Sequence, residues 1–255
     1  MSDDAPATSR VRGCVALVTG ANRGVGQAFV EELLARGAAK VYAGVRNPDE
    51  AAPPGAERVQ LDITDPAQVA AAAAAQCADV TLLVNNAGSF ANRRLVLTDD
   101  LDAARQEMEV NYFGTLGMTR AFAPVLARNG GGTIVNVLSV AAVVPAAFMG
   151  GYSTSKAAAH FLSVITRAEL APQGTHVTSL VLGSVDTRMA AHVEGNKENP
   201  RDIAAAGLDG VEAGLLTVAT DKMADDSIAA HRADPERFER QLAKLLHVTT
   251  LRAPG

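Results

Sequence analysis

A tyrosine and a lysine lie four residues apart in the stretch GGYSTSKAAAHF, residues 150–161, directly after two glycines. Helical spacing of i, i+4 predicts that Tyr152 and Lys156 share one helix face, one turn apart. A tyrosine hydroxyl can transfer a proton, but its ordinary pKa of about 10 makes it a poor acid–base group at neutral pH. A lysine ammonium one turn away favours the phenolate and is expected to lower that pKa. Taken alone, such a pair is most often solvated helix surface, so its meaning depends on the rest of the chain.

A glycine-rich stretch, TGANRGVGQAF, follows the first apolar run of the chain. Gly20, Gly24 and Gly26 permit a sharp turn and a close approach of backbone to a ligand, and the helix that opens here offers unpaired N–H groups to a pyrophosphate. Glycines at a strand-to-helix turn often serve geometry only, but the flanking strand and helix favour dinucleotide binding. The spacing Gly-x-x-x-Gly-x-Gly differs from the G-x-G-x-x-G of the standard Rossmann fingerprint.

Short apolar segments that end in turn residues predict six buried strands. They cover residues 14–20, 40–45, 58–63, 80–88, 132–139 and 176–183. Helical patterns separate them, one beginning at Gln27 and another with Asp65 as N-cap and Pro66 at the first helical position. This alternation predicts an α/β fold, a doubly wound parallel sheet in the order 3-2-1-4-5-6 with helices on both faces.

The pattern changes after about residue 188. The stretch EGNKENPRD is polar and turn-like, and two helical patterns follow it without a convincing strand. The second begins at Asp234 and Pro235, and its apolar stripe consists of Phe238, Leu242, Leu245 and Leu246. We expect one Rossmann-type domain over residues 1–255, with a flexible arm over residues 1–10. A helical substrate lid is expected over about residues 189–246, because this segment leaves the sheet at the carboxyl edge, where ligands bind.

Composition narrows the classes of function. The chain of 255 residues is 48% hydrophobic and 20% charged, which is typical of a globular protein with a substantial core. A net charge of −5 argues against nucleic-acid or anionic-membrane partners, and no apolar run approaches the roughly 18 residues of a membrane span. Cys14 and Cys77 form no disulfide framework, and the five histidines have no ligand spacing. We expect a cytoplasmic protein without a metal.

Four further blocks extend the glycine pattern. They are NNAG at residues 85–88, EVNYFGT around Asn111, NVLSV with Ser139, and YSTSK from Tyr152. In order and separation, these blocks and the glycine turn resemble the short-chain dehydrogenase/reductase family, in its short single-domain form, over about the first 190 residues. The resemblance implies hydride transfer between a nicotinamide cofactor and a carbonyl or alcohol. It also implies the catalytic roles: Tyr152 exchanges the proton, Ser139 donates a hydrogen bond to the developing oxyanion, Lys156 also holds the nicotinamide ribose, and Asn111 carries a water relay.

The resemblance also implies which residues bind the cofactor. They are Gly20, Asn22, Arg23, Gly24, Val25, Gly26, Arg46, Asp62, Ile63, Asn86, Ala87, Gly88, Tyr152, Lys156, Gly183, Val185 and Thr187. NAD binding usually requires an acidic residue at the end of the second strand, where this chain has Val45 followed by Arg46. Arg23 and Arg46 would suit a 2′-phosphate, and in the family this pairing accompanies NADP. The alternative is that both arginines are ordinary solvated surface residues without a role in cofactor binding.

Two departures from the family concern the second half of the chain. Leu182 and Gly183 stand where the family usually has Pro-Gly, which loosens a constraint on the loop over the nicotinamide. The chain ends HVTTLRAPG, without the seventh strand and Asp-Gly-Gly of many members. We therefore expect either a homodimer through the helices that begin near Leu101 and Tyr152, or a monomer.

The substrate is expected to be a small hydrophobic ketone or aldehyde, because the candidate pocket residues are mostly apolar. They are Phe90, Ala141, Pro145, Phe148, Met149, Met189 and Val193. Two other functions are alternatives. A non-catalytic NADP-sensing or regulatory protein would not need Ser139, Tyr152 and Lys156 together. A sugar-nucleotide epimerase also has tyrosine and lysine four apart, but normally in a longer chain with a differently spaced glycine turn.

Overall fold

The computed structural model describes residues 10–248, and side chains are described for residues 10–246. The flexible arm predicted for residues 1–10 therefore lies outside the described residues, apart from Arg10. The Arg10 backbone N–H donates to Glu212 Oε2 at 3.0 Å, and its Nη1 donates to the Glu212 carbonyl oxygen at 3.2 Å. These bonds tie residue 10 to the body of the protein, so the prediction of flexibility does not hold for Arg10.

Seven parallel strands in residues 10–248 form one sheet. They are β1 (Val15–Thr19), β2 (Lys40–Val45), β3 (Glu57–Gln60), β4 (Leu82–Asn85), β5 (Gly132–Val137), β6 (Thr175–Val181) and β7 (Thr217–Ala219). Their order is β3-β2-β1-β4-β5-β6-β7. The doubly wound topology and the order of the first six strands are confirmed.

The seventh strand corrects the six-stranded prediction. β7 pairs in parallel with β6, with Thr217 opposite Ser179 and Ala219 opposite Val181. A strand of three residues is too short to show alternation. Because β7 is the last strand of the sheet, Val218 is its only buried residue. No buried apolar run was therefore present to identify it.

Eight α-helices surround the sheet in the described part of the chain. They are α1 (Gly24–Ala35), α2 (Pro66–Ala71), α3 (Asp102–Met108), α4 (Thr115–Arg128), α5 (Gly150–Leu170), α6 (Pro200–Glu212), α7 (Lys222–Ala233) and α8 (Pro235–Val248). A π-helical turn, Ala72–Gln76, extends α2, and another, Glu109–Gly114, joins α3 to α4. Phe29 of α1 is buried in one apolar cluster and Phe122 of α4 in another, and residues of the sheet contribute to both clusters. The strands other than β3 and β7 are therefore buried between the helices, which explains their largely apolar sequences.

The helical lid predicted over about residues 189–246 is wrong for much of its length. Helix α6 buries Ile203, Ala204, Leu208 and Val211 in the same apolar cluster as α1, and β7 belongs to the sheet. The helical spacing of these apolar residues gives α6 a face that packs on the core. Beyond the sheet, α8 contacts the short 3₁₀ turn Ala147–Met149, and Arg94 Nη2 donates to the Leu246 carbonyl oxygen at 3.1 Å.

Several negative findings hold for residues 10–248. None of the helices there has the length and apolarity needed to cross a membrane. No group of three or more His, Cys, Asp or Glu residues in that range is placed to hold a metal ion. Cys14 and Cys77 are buried free thiols, and burial raises the pKa of each to about 12. Both thiols are therefore protonated at neutral pH.

Candidate active site

The carboxyl ends of the central strands meet at the point where the strand order reverses, between β1 and β4. Gly20 follows β1, Asn86 follows β4, Ser139 lies two residues beyond β5, and Gly183 lies two residues beyond β6. Ligands of open α/β sheets bind in the crevice at this position. The structure thus brings residues from four distant parts of the sequence to one edge.

The glycine turn has a backbone that only glycine fits well. Gly20 and Gly24 have φ of 63° and 55°, in the left-handed region. A Cβ atom at Gly26 would collide with the Gly20 carbonyl oxygen. Asn86 Nδ2 donates to the carbonyl oxygens of Thr19 at 2.9 Å and Gly20 at 3.2 Å, which fixes the turn against β4. The first turn of α1 has no side-chain cap, so its N–H groups and the close glycine backbone fit a pyrophosphate.

Arg23, one of the two arginines expected at the adenosine end, lies beside an acidic residue. Arg23 Nη1 lies 3.5 Å from Glu50 Oε1, and Asn22 Nδ2 donates to Glu50 Oε2 at 2.6 Å. Arg46, directly after β2, is exposed. Sequence analysis missed Glu50, because it lies in the polar turn RNPDE, where no spacing distinguishes it from a solvated acid.

Asp62 and Ile63 lie just beyond the carboxyl end of β3. The Leu61 N–H donates to the Val45 carbonyl oxygen at 2.9 Å, so the chain is still beside β2 at this point. Asp62 Oδ1 accepts hydrogen bonds from the Thr64 N–H at 2.9 Å and from Thr64 Oγ1 at 2.7 Å. This local turn fixes the Asp62 backbone and carboxylate near the edge, while the Ile63 side chain is buried.

Asn111 lies in the π-helical turn between α3 and α4. Its Nδ2 donates to Ser155 Oγ and to the Ser89 carbonyl oxygen, both at 2.9 Å, and its Oδ1 accepts from the Ser89 N–H at 2.8 Å. The Asn111 carbonyl oxygen accepts from Thr115 Oγ1 at 3.0 Å. The buried amide therefore ties the loop after β4 to α5. Single π-helical turns frequently occur at functional sites.

Tyr152 lies in the first turn of α5 and is 9% exposed. Burial, reinforced by the charge of Glu107, raises the pKa of Tyr152 to about 12, although its hydrogen bond with Ser139 acts in the opposite direction. The expected lowering of this pKa by Lys156 is therefore not found. The reason is distance and burial, because the lysine Nζ lies 5.9 Å from the centroid of the tyrosine ring.

Lys156 is buried one turn further along α5. Its Nζ donates to the Val137 carbonyl oxygen at 2.9 Å, and burial lowers the pKa of Lys156 to about 8. A Cβ atom at Gly88 would lie 3.6 Å from Lys156 Nζ and 3.2 Å from Asn111 Oδ1. The NNAG block thus passes closely between these two side chains. Its Ala87 N–H donates to Thr19 Oγ1 at 3.0 Å, which also connects the block to the glycine turn.

Glu107 is a buried acid that sequence analysis missed. It is 2% exposed, and its Oε1 accepts a hydrogen bond from the Ala91 N–H at 2.7 Å. Its Oε2 would lie 2.6 Å from a Cβ atom at Gly151, so the carboxylate lies against the start of α5. Burial raises the pKa of Glu107. A glutamate in a short helix usually lies on the solvated face, and nothing in the sequence pattern marked this one as buried.

An apolar wall includes the ring of Tyr152. Its buried members are Ala141, Ala146 and Tyr152, with Phe90, Phe148 and Met149 packed against them. Four of the predicted pocket residues therefore gather here. Pro145 is exposed and lies outside this cluster, while Met189 is exposed and Val193 is half-buried on the loop after β6.

Phe90 makes ring contacts on two sides. Its ring centroid lies 5.0 Å from that of Tyr152 in an edge-on arrangement, and 5.3 Å from that of His192. Sequence analysis did not assign His192 to the site, since only the fold brings the loop after β6 against the loop after β4. These ring contacts place a polar aromatic group at the margin of the apolar wall.

The loop after β6 is held without the family's usual proline. The Gly183 N–H donates to Asp221 Oδ2 at 2.7 Å, and a Cβ atom at Gly183 would lie 2.5 Å from Asp221 Oδ1. Asp221 Oδ1 also accepts from the Ala224 N–H at 2.9 Å, as the N-cap of α7. Asp221, from a distant segment, therefore restrains the backbone of this loop at the place where the family usually has a proline and this chain has Leu182.

Val185 and Thr187 continue this loop towards the glycine turn. Val185 forms an isolated parallel bridge with Glu198. A Cβ atom at Gly24 would lie 3.1 Å from Thr187 Cγ2. Glycine at position 24 thus permits a close approach between two loops that are both predicted from the sequence to contact the cofactor.

Comparison with known proteins agrees with this arrangement. The family described as short chain dehydrogenase matches residues 14–198. A short chain dehydrogenase from Burkholderia cenocepacia J2315, solved in complex with NADP, is 44% identical with a TM-score of 0.86, and the alignment covers 91% of this chain and 98% of that one.

Two curated relatives are enzymes with dissimilar substrates. Galactitol 2-dehydrogenase (L-tagatose-forming) from Cereibacter sphaeroides is 34% identical over 224 residues, which are 78% of this chain and 88% of that protein. Human 17-beta-hydroxysteroid dehydrogenase type 2 is 33% identical over 207 residues, which cover 73% of this chain but only 51% of that longer protein. One name refers to a polyol and the other to a steroid, so similarity at this level does not identify a substrate.

Proposed function

The chain belongs to the short-chain dehydrogenase family, and we propose that it is an NADP(H)-dependent oxidoreductase that interconverts a ketone or aldehyde and the corresponding alcohol. One observation carries the proposal. Tyr152 lies with Ser139 and buried Lys156 at the edge that also holds the glycine turn. A protein that only sensed a nucleotide would have no use for this combination.

The proposed cofactor is supported by the fit of the glycine turn to a pyrophosphate and by charge. Arg23 and Arg46 supply positive charge near the end of β2, where Val45 replaces the acid that NAD binding usually requires. The similar Burkholderia protein binds NADP. When bound, the nicotinamide would supply or accept the hydride. We assign the remaining cofactor contacts to the residues named from the sequence.

We assign the proton step to Tyr152. In carbonyl reduction, its hydroxyl donates a proton to the oxygen of the forming alkoxide, and in alcohol oxidation its phenolate takes that proton back. Ser139 donates a hydrogen bond to the same oxygen. We assign Lys156 to binding the nicotinamide ribose, and Asn111 holds the loop after β4 against α5.

The apolar wall favours a hydrophobic carbonyl compound over a polyol. Phe90, Phe148 and Met149 offer apolar surface next to Tyr152 and no charged partner for a substrate group. His192 is the exception and would contact a polar substituent at the far side of Phe90. The proposed substrate is therefore largely apolar around its reacting carbon.

We further propose a homodimer in a reducing, cytoplasmic setting. Helix α5 exposes an apolar face, with Phe161 68% and Ile165 54% exposed next to Val164. Large exposed apolar patches commonly mark interaction surfaces. A second copy of the chain could cover this face symmetrically. The two unpaired buried thiols, Cys14 and Cys77, are compatible with such a compartment.

The test is NADPH oxidation by the purified protein against a panel of aliphatic, aromatic and polyhydroxy carbonyl compounds. We expect turnover with apolar ketones or aldehydes, and a rate about 10²–10⁴-fold lower in the Tyr152→Phe variant. Direct NADPH binding is measured in parallel. Tight binding of NADPH without turnover of any carbonyl would instead support the non-catalytic alternative.

A further inference from the structure

The carboxylate of Glu50 lies among the groups assigned to the adenosine end of the cofactor. Asn22 Nδ2 donates to Glu50 Oε2 at 2.6 Å, and Arg23 Nη1 lies 3.5 Å from Glu50 Oε1. Asn22 and Arg23 belong to the glycine turn, whereas Glu50 comes from the loop after β2. One acid thus engages two neighbouring polar groups of the turn.

The loop that carries Glu50 is itself fixed. Arg58 Nε donates to the Glu50 carbonyl oxygen at 3.1 Å, and its Nη2 donates to the Pro48 carbonyl oxygen at 2.6 Å. The Glu50 N–H donates to the Asn47 carbonyl oxygen at 3.2 Å. Arg58 follows the start of β3, so a strand of the sheet anchors the loop. The Glu50 backbone is therefore held in position, and its side chain is directed to the glycine turn.

We infer that Glu50 is a specificity-determining residue for the cofactor, a built-in anion that competes with the 2′-phosphate of NADP for Arg23 and Asn22. This inference rests on the proposed function. A phosphate brought to Arg23 must displace the carboxylate or bind beside it, and two anions repel each other. NAD carries no 2′-phosphate, and its ribose hydroxyl can donate a hydrogen bond to the carboxylate. Glu50 therefore weakens NADP binding, favours NAD binding and narrows the preference between them.

A simple surface ion pair would have a different consequence. Arg23 and Glu50 are 55% and 38% exposed, and pairs of this kind contribute little to folding. If Arg23 and Glu50 formed only a surface ion pair, neutralising Glu50 would leave the ratio of the NADPH and NADH dissociation constants unchanged. Competition for Arg23 predicts that neutralising Glu50 strengthens NADPH binding selectively.

The experiment compares Glu50→Gln with the control Asp49→Asn in the full chain. Asp49 is an exposed acid of the same loop, so both variants remove one negative charge from the same region. Dissociation constants for NADPH and NADH are measured by fluorescence titration without any carbonyl substrate, at low and at physiological ionic strength. We expect Glu50→Gln to bind NADPH about three- to tenfold more tightly, with NADH binding unchanged or weaker. The control should change either constant by less than about twofold.

The outcomes separate the inference from the proposed function. If the unmutated protein binds neither dinucleotide, both fall. If it binds NADPH but Glu50→Gln behaves as Asp49→Asn does, only the role of Glu50 is overturned. An equal gain for NADPH and NADH would also overturn it, because the acid would then act on the common part of the cofactor. Thermal unfolding of both variants checks that the loop change leaves the fold intact.

Discussion

The carboxylate of Glu107 lies against the backbone of Gly151, the residue directly before Tyr152, while its other oxygen accepts a hydrogen bond from the Ala91 N–H. One buried acid therefore connects the loop after β4 to the first turn of α5. A negative charge at the start of a helix is favourable for the helix. The same charge raises the pKa of Tyr152, since it opposes formation of a second anion nearby.

Glu107→Gln should therefore move the pH profile of alcohol oxidation to lower pH. Oxidation needs the phenolate of Tyr152, so kcat/KM rises with pH through the pKa of that group. Removing the charge while keeping an acceptor for Ala91 lowers this pKa, and the rising limb should shift down by up to about one unit. Glu109→Gln, which neutralises an exposed acid two residues away, is the control. If the rising limb of the kcat/KM profile stays in place or moves to higher pH, the charge of Glu107 does not raise the pKa of the group that limits oxidation.

Tyr152→Phe should reduce turnover by about 10²–10⁴-fold, because the ring remains but the proton donor is lost. NADPH affinity should hardly change, and isothermal titration measures it independently of catalysis. Tyr112→Phe removes a hydroxyl from a tyrosine in the π-helical turn and serves as the control. A near-normal rate for the Tyr152 variant on its best carbonyl would show that another group supplies the proton.

Elements with long apolar runs or local motifs could be predicted from the sequence. Five of the first six strands present several consecutive buried residues, whereas β3 has only Val59 buried and was identified with the help of Leu61 and Ile63 just beyond it. Asp65 was identified as an N-cap by local chemistry, and its carboxylate accepts from the Ala67 N–H at 2.9 Å. Ser139, Tyr152 and Lys156 were proposed from the spacing of family motifs, and the fold brings them to the same edge of the sheet.

Residues whose role depends on a distant partner could not be predicted. Asp221 contacts Gly183 across 38 residues, and Glu107 contacts Ala91 across 16, so no local pattern identifies either pair. The pKa of Tyr152 was predicted in the wrong direction for a related reason. Spacing along a helix gave the proximity of Lys156 but not the degree of burial, and burial is the largest effect on this hydroxyl.

Arg46→Asp should shift cofactor preference towards NADH, with the ratio of the two dissociation constants changing by about tenfold or more. The substitution removes an attractive charge at the end of β2 and introduces a repulsive one for a 2′-phosphate. Arg128→Asp makes the same change in the last turn of α4, away from the site, and should leave the ratio unaltered. Parallel fluorescence titrations with NADPH and NADH measure both constants. Equal affinities of the unmutated protein for the two cofactors would contradict the proposed NADP preference.

Phe161→Glu should dissociate the proposed homodimer. A carboxylate in the centre of the apolar face of α5 would be buried without a partner, and we expect the dimer dissociation constant to rise by at least about tenfold. Sedimentation velocity over a range of concentrations measures this constant. Leu215→Glu, at another exposed apolar residue, should leave association unchanged. A monomeric unmutated protein at micromolar concentration would exclude the dimer.

Lys156→Met should abolish turnover and at the same time stabilise the free protein at neutral pH. Burial lowers the pKa of Lys156 from 10.5 to about 8, so at pH 7 its charge is held in the fold at a cost on the order of 3 kcal/mol. The variant also loses the hydrogen bond to Val137, worth about 1 kcal/mol, so the free energy of unfolding should rise by about 1–2 kcal/mol.

The unfolded chain holds the lysine proton more tightly than the folded one. The cost is therefore complete below pH 8 and disappears as the pH rises from 8 to 10.5, and the advantage of the variant should disappear over the same interval. Urea unfolding at pH 7 and pH 10 measures both free energies. If the variant is less stable than the unmutated protein at pH 7, the buried ammonium of Lys156 contributes to the free energy of unfolding and does not reduce it.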